Sequence, residues 1–101
     1  MVQAGGLEAE ITSTVESNKV VVYSKSYCKF ARKVKEDFNS AGIEYKTFEV
    51  DEMENGDEII EVLGELTGLT TVPNVFVNGV HIGGSDEVEE LGVKGIKRMI
   101  N

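Results

Sequence analysis

An Asn-Gly pair between two short apolar runs is the feature that most constrains how this chain can fold. Asn78 and Gly79 separate residues 74–77 from residues 80–82, where the apolar pattern has a period of two. The pair tolerates the positive φ angles of a type I′ turn, whose twist matches that of two antiparallel strands. The sequence therefore predicts a β-hairpin over residues 74–82.

Upstream of the hairpin, strand and helix patterns alternate. Residues 20–23 form an unbroken, mostly β-branched run that is typical of a strand buried on both faces, and residues 43–50 predict a second strand. Apolar residues at helical spacing predict the other elements, which are helices over residues 7–18, 28–42, 57–68 and 85–100.

Capping residues mark the ends of several of these helices. Gly42 suits the left-handed conformation that commonly ends a helix. Asp57 is expected to cap the third helix, and Ser85 begins an N-cap signal for the fourth.

The resulting order, αβαβαββα, constrains the architecture. Strand-helix-strand units place their strands in parallel, and the hairpin adds antiparallel strands at one side. We therefore expect an α/β fold with a central four-stranded mixed sheet and helices on both faces. The 101 residues suffice for one core, so residues 1–101 are predicted to form a single domain in which residues 1–6 are disordered.

Charge and cysteine content exclude several classes of protein. A net charge of -8 has the wrong sign for binding nucleic acid or an anionic membrane surface. The single cysteine cannot form an internal disulfide, which excludes the disulfide-stabilised secreted class. No apolar run is long enough to span a membrane, and residues 1–6 do not resemble an export signal. We expect a cytoplasmic monomer.

Cys28 lies where a predicted strand is followed by a predicted helix. The unpaired N–H groups and positive dipole end of that helix favour a thiolate over a thiol, and Lys25 and Lys29 add positive charge nearby. Five of the ten basic residues lie in this region: Lys25, Lys29, Arg32, Lys33 and Lys35. A stabilised thiolate is also a good leaving group, so a mixed disulfide on Cys28 should be resolved readily by an outside thiol.

Three segments together resemble the glutaredoxin family, and the resemblance extends over about residues 8–101. They are YSKSYCKFA at 23–31, TVPNVFVNG at 71–79 and HIGGSD at 81–86. The resemblance implies a thioredoxin-like fold, glutathione as the cofactor, and glutathione and glutathionylated proteins as partners. It makes the chain a glutathione-dependent thiol-disulfide oxidoreductase.

The resemblance also assigns roles to individual residues. Cys28 is implied to be the catalytic nucleophile, and Pro73 a cis-proline that turns the Val72 backbone toward the sulfur. The glutathione-binding residues that it implies are Lys25, Tyr27, Phe30, Thr71, Val72, Pro73, Gly84, Ser85 and Asp86. Among them, Asp86 is implied to bind the amine of the γ-glutamyl group, whose carboxylate lies on the helix N–H groups.

The chain departs from the family pattern at three places. Ala31 stands where dithiol members have a second cysteine, and Lys29 stands where they usually have proline. Leu69 and Thr70 replace a glutamine and a basic residue that could anchor the glycine carboxylate of glutathione. Without a second cysteine the expected mechanism is monothiol deglutathionylation. Ala31 is equally compatible with an engineered variant of a dithiol member in which the second cysteine was replaced by alanine.

Two further hypotheses remain for the function. Two chains and two glutathiones could hold a [2Fe-2S] cluster through Cys28, although the bulky Lys29 disfavours it because cluster-binding relatives usually have glycine there. The second hypothesis is that the chain is a non-catalytic interaction domain in which the Cys28 site is vestigial.

Two other candidate sites are weaker. His81, the only histidine, has no sequence neighbour that suggests a triad or a metal site, so we expect a structural role. Residues 51–56 partly match a calcium-binding loop, but Met53 occupies a ligand position and Val62 replaces the closing glutamate. A solvated acidic loop is expected there, and no metal site.

Overall fold

Four strands form one sheet in the computed structural model, which describes the backbone of residues 3–101 and the side chains of residues 6–101. The strands are β1 (Val20–Ser24), β2 (Lys46–Glu49), β3 (Asn74–Val77) and β4 (Val80–Gly83). The helices are α1 (Gln3–Ser17), α2 (Lys29–Ala41), α3 (Gly56–Thr67) and α4 (Ser85–Ile100), and a 3-10 turn, Val50–Glu52, follows β2.

The strands are arranged in the order β2-β1-β3-β4. β1 pairs in parallel with β2, with Val22 opposite Thr47, and antiparallel with β3, with Val22 opposite Val75. β4 pairs antiparallel with β3 at the sheet edge. The predicted αβαβαββα order and the four-stranded mixed sheet are confirmed.

A separate hydrophobic cluster covers each face of the sheet. Val21 and Tyr23 of β1 pack with α1 and α3, whereas Val20 and Val22 pack with α2 and α4. This alternation follows from the two-residue period of a strand. Burial, assisted by the charge of Glu10, raises the pKa of Tyr23 to about 12, so the phenol stays neutral within its cluster.

The hairpin between β3 and β4 has the predicted geometry. Asn78 has φ 54° and Gly79 has φ 81°, both in the left-handed region that a type I′ turn requires. The Asn78 side chain donates a hydrogen bond to Met99 O at 3.1 Å, and this bond joins the turn to the end of α4.

Strand β2 is shorter than predicted, covering residues 46–49 rather than 43–50. At its start, the N–H of Ile43 donates to Phe38 O at 2.9 Å and the N–H of Gly42 donates to Asn39 O. These bonds are typical of a helix that ends in a left-handed residue, and Gly42 has φ 74°. Ile43 is therefore apolar because it packs against the end of α2, not because it belongs to the strand.

Two predicted N-caps are wrong by one or two positions. Helix α3 is capped at Asn55 rather than Asp57, and α4 at Gly84 rather than Ser85. A Cβ atom on Gly56 would collide with Val50 O, so the first turn of α3 begins at a glycine pressed against the 3-10 turn. For α3, packing against the 3-10 turn sets where the helix starts.

Helix α1 begins earlier than its apolar stripe predicts. It starts at Gln3, so residues 3–6 are helical where disorder was expected, and residues 1 and 2 lie outside the described part of the chain. Helix α4 changes direction at Gly92, which has φ 74° and ψ 163°. Within the described residues, no helix has the length and apolarity needed to cross a membrane.

Candidate active site

Cys28 stands at the junction of the β1–α2 loop and helix α2, where it is the N-cap residue. Its N–H donates to Lys25 O at 3.0 Å, and its carbonyl accepts the N–H of Arg32 at 3.0 Å. The first of these bonds closes a tight turn, and the second begins the helix. The side chain is half-buried, so a reagent or substrate can reach the sulfur.

The sulfur faces the segment that precedes β3. Cys28 Sγ lies 3.8 Å from the carbonyl oxygen of Val72, and the Val72–Pro73 peptide bond is cis, as the resemblance implies. Pro73 is fully buried, whereas Thr71 is exposed. The loop of residues 69–73 therefore forms the wall opposite Cys28.

The Cys28 sulfur lies between the Val72 carbonyl oxygen and the first turn of helix α2. In its contact with Val72 O the sulfur donates a proton, so this contact belongs to the thiol. The N–H groups in the first turn of α2 have no intrahelical acceptor, and they lie at the positive end of the helix dipole. Cys28 therefore lies beside the positive end of α2, although its side chain makes no capping hydrogen bond to the first-turn N–H groups.

Fewer unpaired positive charges surround Cys28 than the sequence suggests. Lys33 forms an ion pair with Asp37 at 2.8 Å, and Lys35 forms one with Glu49 at 2.6 Å. Lys29 Nζ lies 5.9 Å from the ring centroid of Phe30. Two of the five predicted cations are thus neutralised locally by carboxylates.

Two aromatic side chains next to Cys28 point into solvent. Tyr27 is 68% exposed and Phe30 is 58% exposed, although both are large and apolar. Single exposed apolar side chains are common on protein surfaces, so the position of these two beside Cys28 is the informative observation. Tyr27 directly precedes Cys28 and Phe30 follows two residues after it, so both rings are exposed close to Cys28 in the sequence.

The start of helix α4 packs against the loop opposite Cys28. A Cβ atom at Gly84 would lie 3.4 Å from Pro73 O and 3.9 Å from Leu69 Cδ2, which are ordinary contact distances, so the start of α4 and this loop are direct neighbours. The N–H of Gly84 donates to Glu87 Oε1 at 2.8 Å. The N–H groups of Ser85 and Asp86 lie in the first turn, where helices lack internal acceptors.

The structure brings together most of the residues that the resemblance implies. Cys28, Val72, Pro73 and Gly84 are joined by the contacts above. A groove of about 540 Å³ between α2 and α4 is lined by three more, which are Phe30, Ser85 and Asp86. Neither Cys28 nor the other predicted site residues line this groove, and these are Lys25, Tyr27, Thr71, Val72, Pro73 and Gly84. A cavity of about 650 Å³ lies at the opposite end of β1 and includes none of the predicted site residues.

Asp51 takes part in shaping the site, although the sequence predicts only a solvated loop there. Its carboxylate accepts the Ser26 N–H at 2.8 Å and the Ser26 hydroxyl, which fixes the loop before Cys28. These bonds lower the pKa of Asp51, and the charge of Lys25 contributes. Residues 26 and 51 are far apart in sequence, and no local pattern indicates their contact.

Comparison with known proteins identifies the family. The glutaredoxin family model matches residues 20–82, a span that includes Cys28, the cis-proline and strand β3. The chain belongs to the glutaredoxin family. Glutaredoxin-C6 of Oryza sativa subsp. japonica is 48% identical over 87 residues, which cover 86% of this chain and 78% of that protein. Glutaredoxin-C1 of Arabidopsis thaliana is 48% identical over 81 residues, which cover 80% and 65%.

A solved structure supports the same assignment at the level of the fold. The buckwheat glutaredoxin–glutathione complex superposes with a TM-score of 0.91 at 39% identity, over 96% of this chain and 89% of that one. The thioredoxin-like glutaredoxin fold is thus established, and the chain is a thiol oxidoreductase of this family. Among the described residues, no group of three or more His, Cys, Asp or Glu side chains is arranged to hold a metal ion.

Proposed function

We propose that the chain removes glutathione from protein–glutathione mixed disulfides by a monothiol mechanism. The observation that carries this proposal is a single accessible sulfur, Cys28 Sγ, at a helix N-terminus and beside the Val72 backbone. Ala31 occupies the position one turn further along α2 and is fully buried, and the sequence contains no other cysteine. A resolving thiol must therefore come from another molecule.

The reaction consists of two thiol-disulfide exchanges. In the first, the Cys28 thiolate attacks the glutathione sulfur of the mixed disulfide, a new S–S bond forms, and the protein thiolate leaves and takes a proton from solvent. In the second, the thiolate of free glutathione attacks the glutathione sulfur on Cys28. Oxidised glutathione leaves and the Cys28 thiolate is regenerated. Glutathione is thus consumed as a substrate.

The residues around the sulfur fit a glutathionyl group. The Val72 backbone can pair with the extended peptide as an added strand does. The N–H groups of Ser85 and Asp86 can hold the γ-glutamyl carboxylate, and the Asp86 side chain can hold its amine. Leu69 and Thr70 provide no cation for the glycine carboxylate, and we assign that role to Lys25. The solved structure of the buckwheat relative is a complex with glutathione, which supports glutathione as the ligand of this chain.

The exposed residues at the entrance would contact the substrate. Tyr27, Phe30 and Thr71 are exposed next to the sulfur or the cis-proline. Tyr27 and Phe30 provide apolar contacts that do not depend on one particular protein sequence. The partners proposed on this basis are glutathione and glutathionylated proteins.

Replacement of Cys28 by serine tests the proposal. Cys28→Ser should abolish release of glutathione from a glutathionylated peptide, because a serine hydroxyl at this position cannot attack the disulfide. The fold should be retained, since the sulfur makes a single long hydrogen bond among the described residues. Ser40→Ala, on the exposed surface of the same helix, is the matched control. Retained activity in Cys28→Ser would refute the proposed role.

A further inference from the structure

Asn74 is a polar side chain in the middle of the fold. It is the first residue of β3, directly after the cis-proline, and it is fully buried. A buried amide is costly unless its polar atoms are hydrogen-bonded. The partners of Asn74 therefore indicate what the residue does.

The Asn74 amide joins strand β4 to the loop opposite Cys28. Its Oδ1 lies 2.7 Å from His81 Nε2, and its Nδ2 donates to Leu69 O at 3.3 Å. The two bonds determine the orientation of the amide, because the flipped amide would place its oxygen against the Leu69 carbonyl oxygen. His81 Nε2 must then be the donor to Asn74 Oδ1.

The surroundings of the His81 ring are consistent with His81 Nε2 donating a hydrogen bond to Asn74. It lies 5.0 Å from the Phe76 ring, centroid to centroid, on the neighbouring strand. Partial burial lowers the pKa of His81, and the charge of Glu87 opposes the shift. The ring is therefore neutral at neutral pH. A neutral imidazole has one N–H, so the bond to Asn74 selects the Nε2–H tautomer.

We propose that His81 is a positioning residue that holds the 69–73 loop in place through Asn74 and thereby sets the Val72 backbone opposite Cys28. The proposal rests on the proposed function, in which Val72 pairs with bound glutathione. Its basis is the chain of contacts from His81 through Asn74 to Leu69, and the 3.8 Å contact between Val72 O and Cys28 Sγ. His81 itself makes no contact with the sulfur among those described.

Two substitutions of His81 separate its N–H donor from its ring. His81→Phe keeps an aromatic ring but removes the donor, whereas His81→Gln keeps an amide N–H at a similar reach. We expect His81→Phe to raise KM for a glutathionylated peptide about threefold to tenfold, the range of one hydrogen bond, with a smaller change in kcat. His81→Gln should restore most of the loss. Val80→Thr, an exposed neighbour on β4, should leave both parameters unchanged.

Two measurements test the inference without relying on activity. The ¹⁵N spectrum of the unaltered protein should show His81 as the Nε2–H tautomer. Amide exchange in residues 69–72 should be faster in His81→Phe than in the unaltered protein and near normal in His81→Gln.

The outcomes distinguish this inference from the proposed function. An Nδ1–H tautomer, or unchanged loop exchange in His81→Phe, would overturn the positioning role. Equal losses in both variants would also overturn it, because the ring and not the donor would then matter. If the unaltered protein transfers no glutathione, the proposed function fails, while the exchange measurement still decides whether His81 orders the loop.

Discussion

Ala31 lies three residues after Cys28 in the first turn of α2, and its side chain is fully buried. Positions three apart on a helix have Cβ atoms about 5–6 Å apart, close enough for a disulfide after a small adjustment. The presence or absence of one sulfur atom at residue 31 therefore decides whether a mixed disulfide on Cys28 can be resolved internally.

The residue at position 31 should control how much glutathione stays bound to Cys28. With oxidised glutathione, the unaltered chain should accumulate one glutathionyl group on Cys28, released only by an added thiol. Ala31→Cys should lower the trapped fraction, because its sulfur can attack Cys28 and expel glutathione. Intact-protein mass spectrometry measures both. Ala31→Ser, similar in size but without sulfur, is the matched control. Equal adduct levels in Ala31→Cys and Ala31→Ser would contradict this explanation.

Among the elements, the β1–α2 loop depends on the 3-10 turn after β2. Asp51 accepts two hydrogen bonds from Ser26, which lies two residues before Cys28. Because these bonds need the carboxylate, they lower the pKa of Asp51 below its ordinary value of 3.8. The resulting stabilisation is fully present above pH 3.8 and is lost as the pH falls through the lowered, folded-state pKa.

Asp51→Asn should loosen this loop at pH 7, because an amide has one acceptor oxygen and no charge. We expect faster hydrogen exchange at the Ser26 amide, with the core strands unaffected. The difference between variant and unaltered protein should shrink when both are compared at a pH below the folded-state pKa of Asp51. Glu52→Gln, at the exposed next residue, is the control. If it has the same effect as Asp51→Asn, the Ser26 contacts are not the cause.

On the scale of the whole molecule, the remaining question is whether two chains share a metal cluster. A [2Fe-2S] cluster held by two chains would require each Cys28 to face the other across the helix α2 N-termini. Lys29 is exposed at that N-terminus, directly after the cysteine, and places bulk and positive charge there. These properties oppose the approach of a second identical surface.

We therefore expect protein purified without oxygen to be colourless and monomeric. Absorbance in the visible range, iron content and light scattering on the same sample provide the measurement. Lys29→Gly removes the bulk and charge and is the informative comparison. Iron with a visible charge-transfer band in the unaltered dimer would instead support cluster binding.

The parts of the fold that the sequence determined by itself are those controlled by neighbouring residues. The type I′ turn at Asn78 and Gly79 follows from two residues that tolerate positive φ, and the end of α2 at Gly42 has the same cause. The buried strand at residues 20–23 follows from an unbroken apolar run. The position of Cys28 before α2 depends on the junction of two such local patterns.

The tertiary structure decided the features that depend on contacts between distant segments. Strand β2 begins later than predicted because the N–H of Ile43 bonds to Phe38 O. Helix α3 is capped at a different residue from the predicted one because Gly56 packs against Val50. Asp51 reaches Ser26, and His81 reaches Asn74, only after the loops and strands have come together. Periodicity and turn propensity act over a few residues, whereas these hydrogen bonds need pairs of groups brought close by the whole fold.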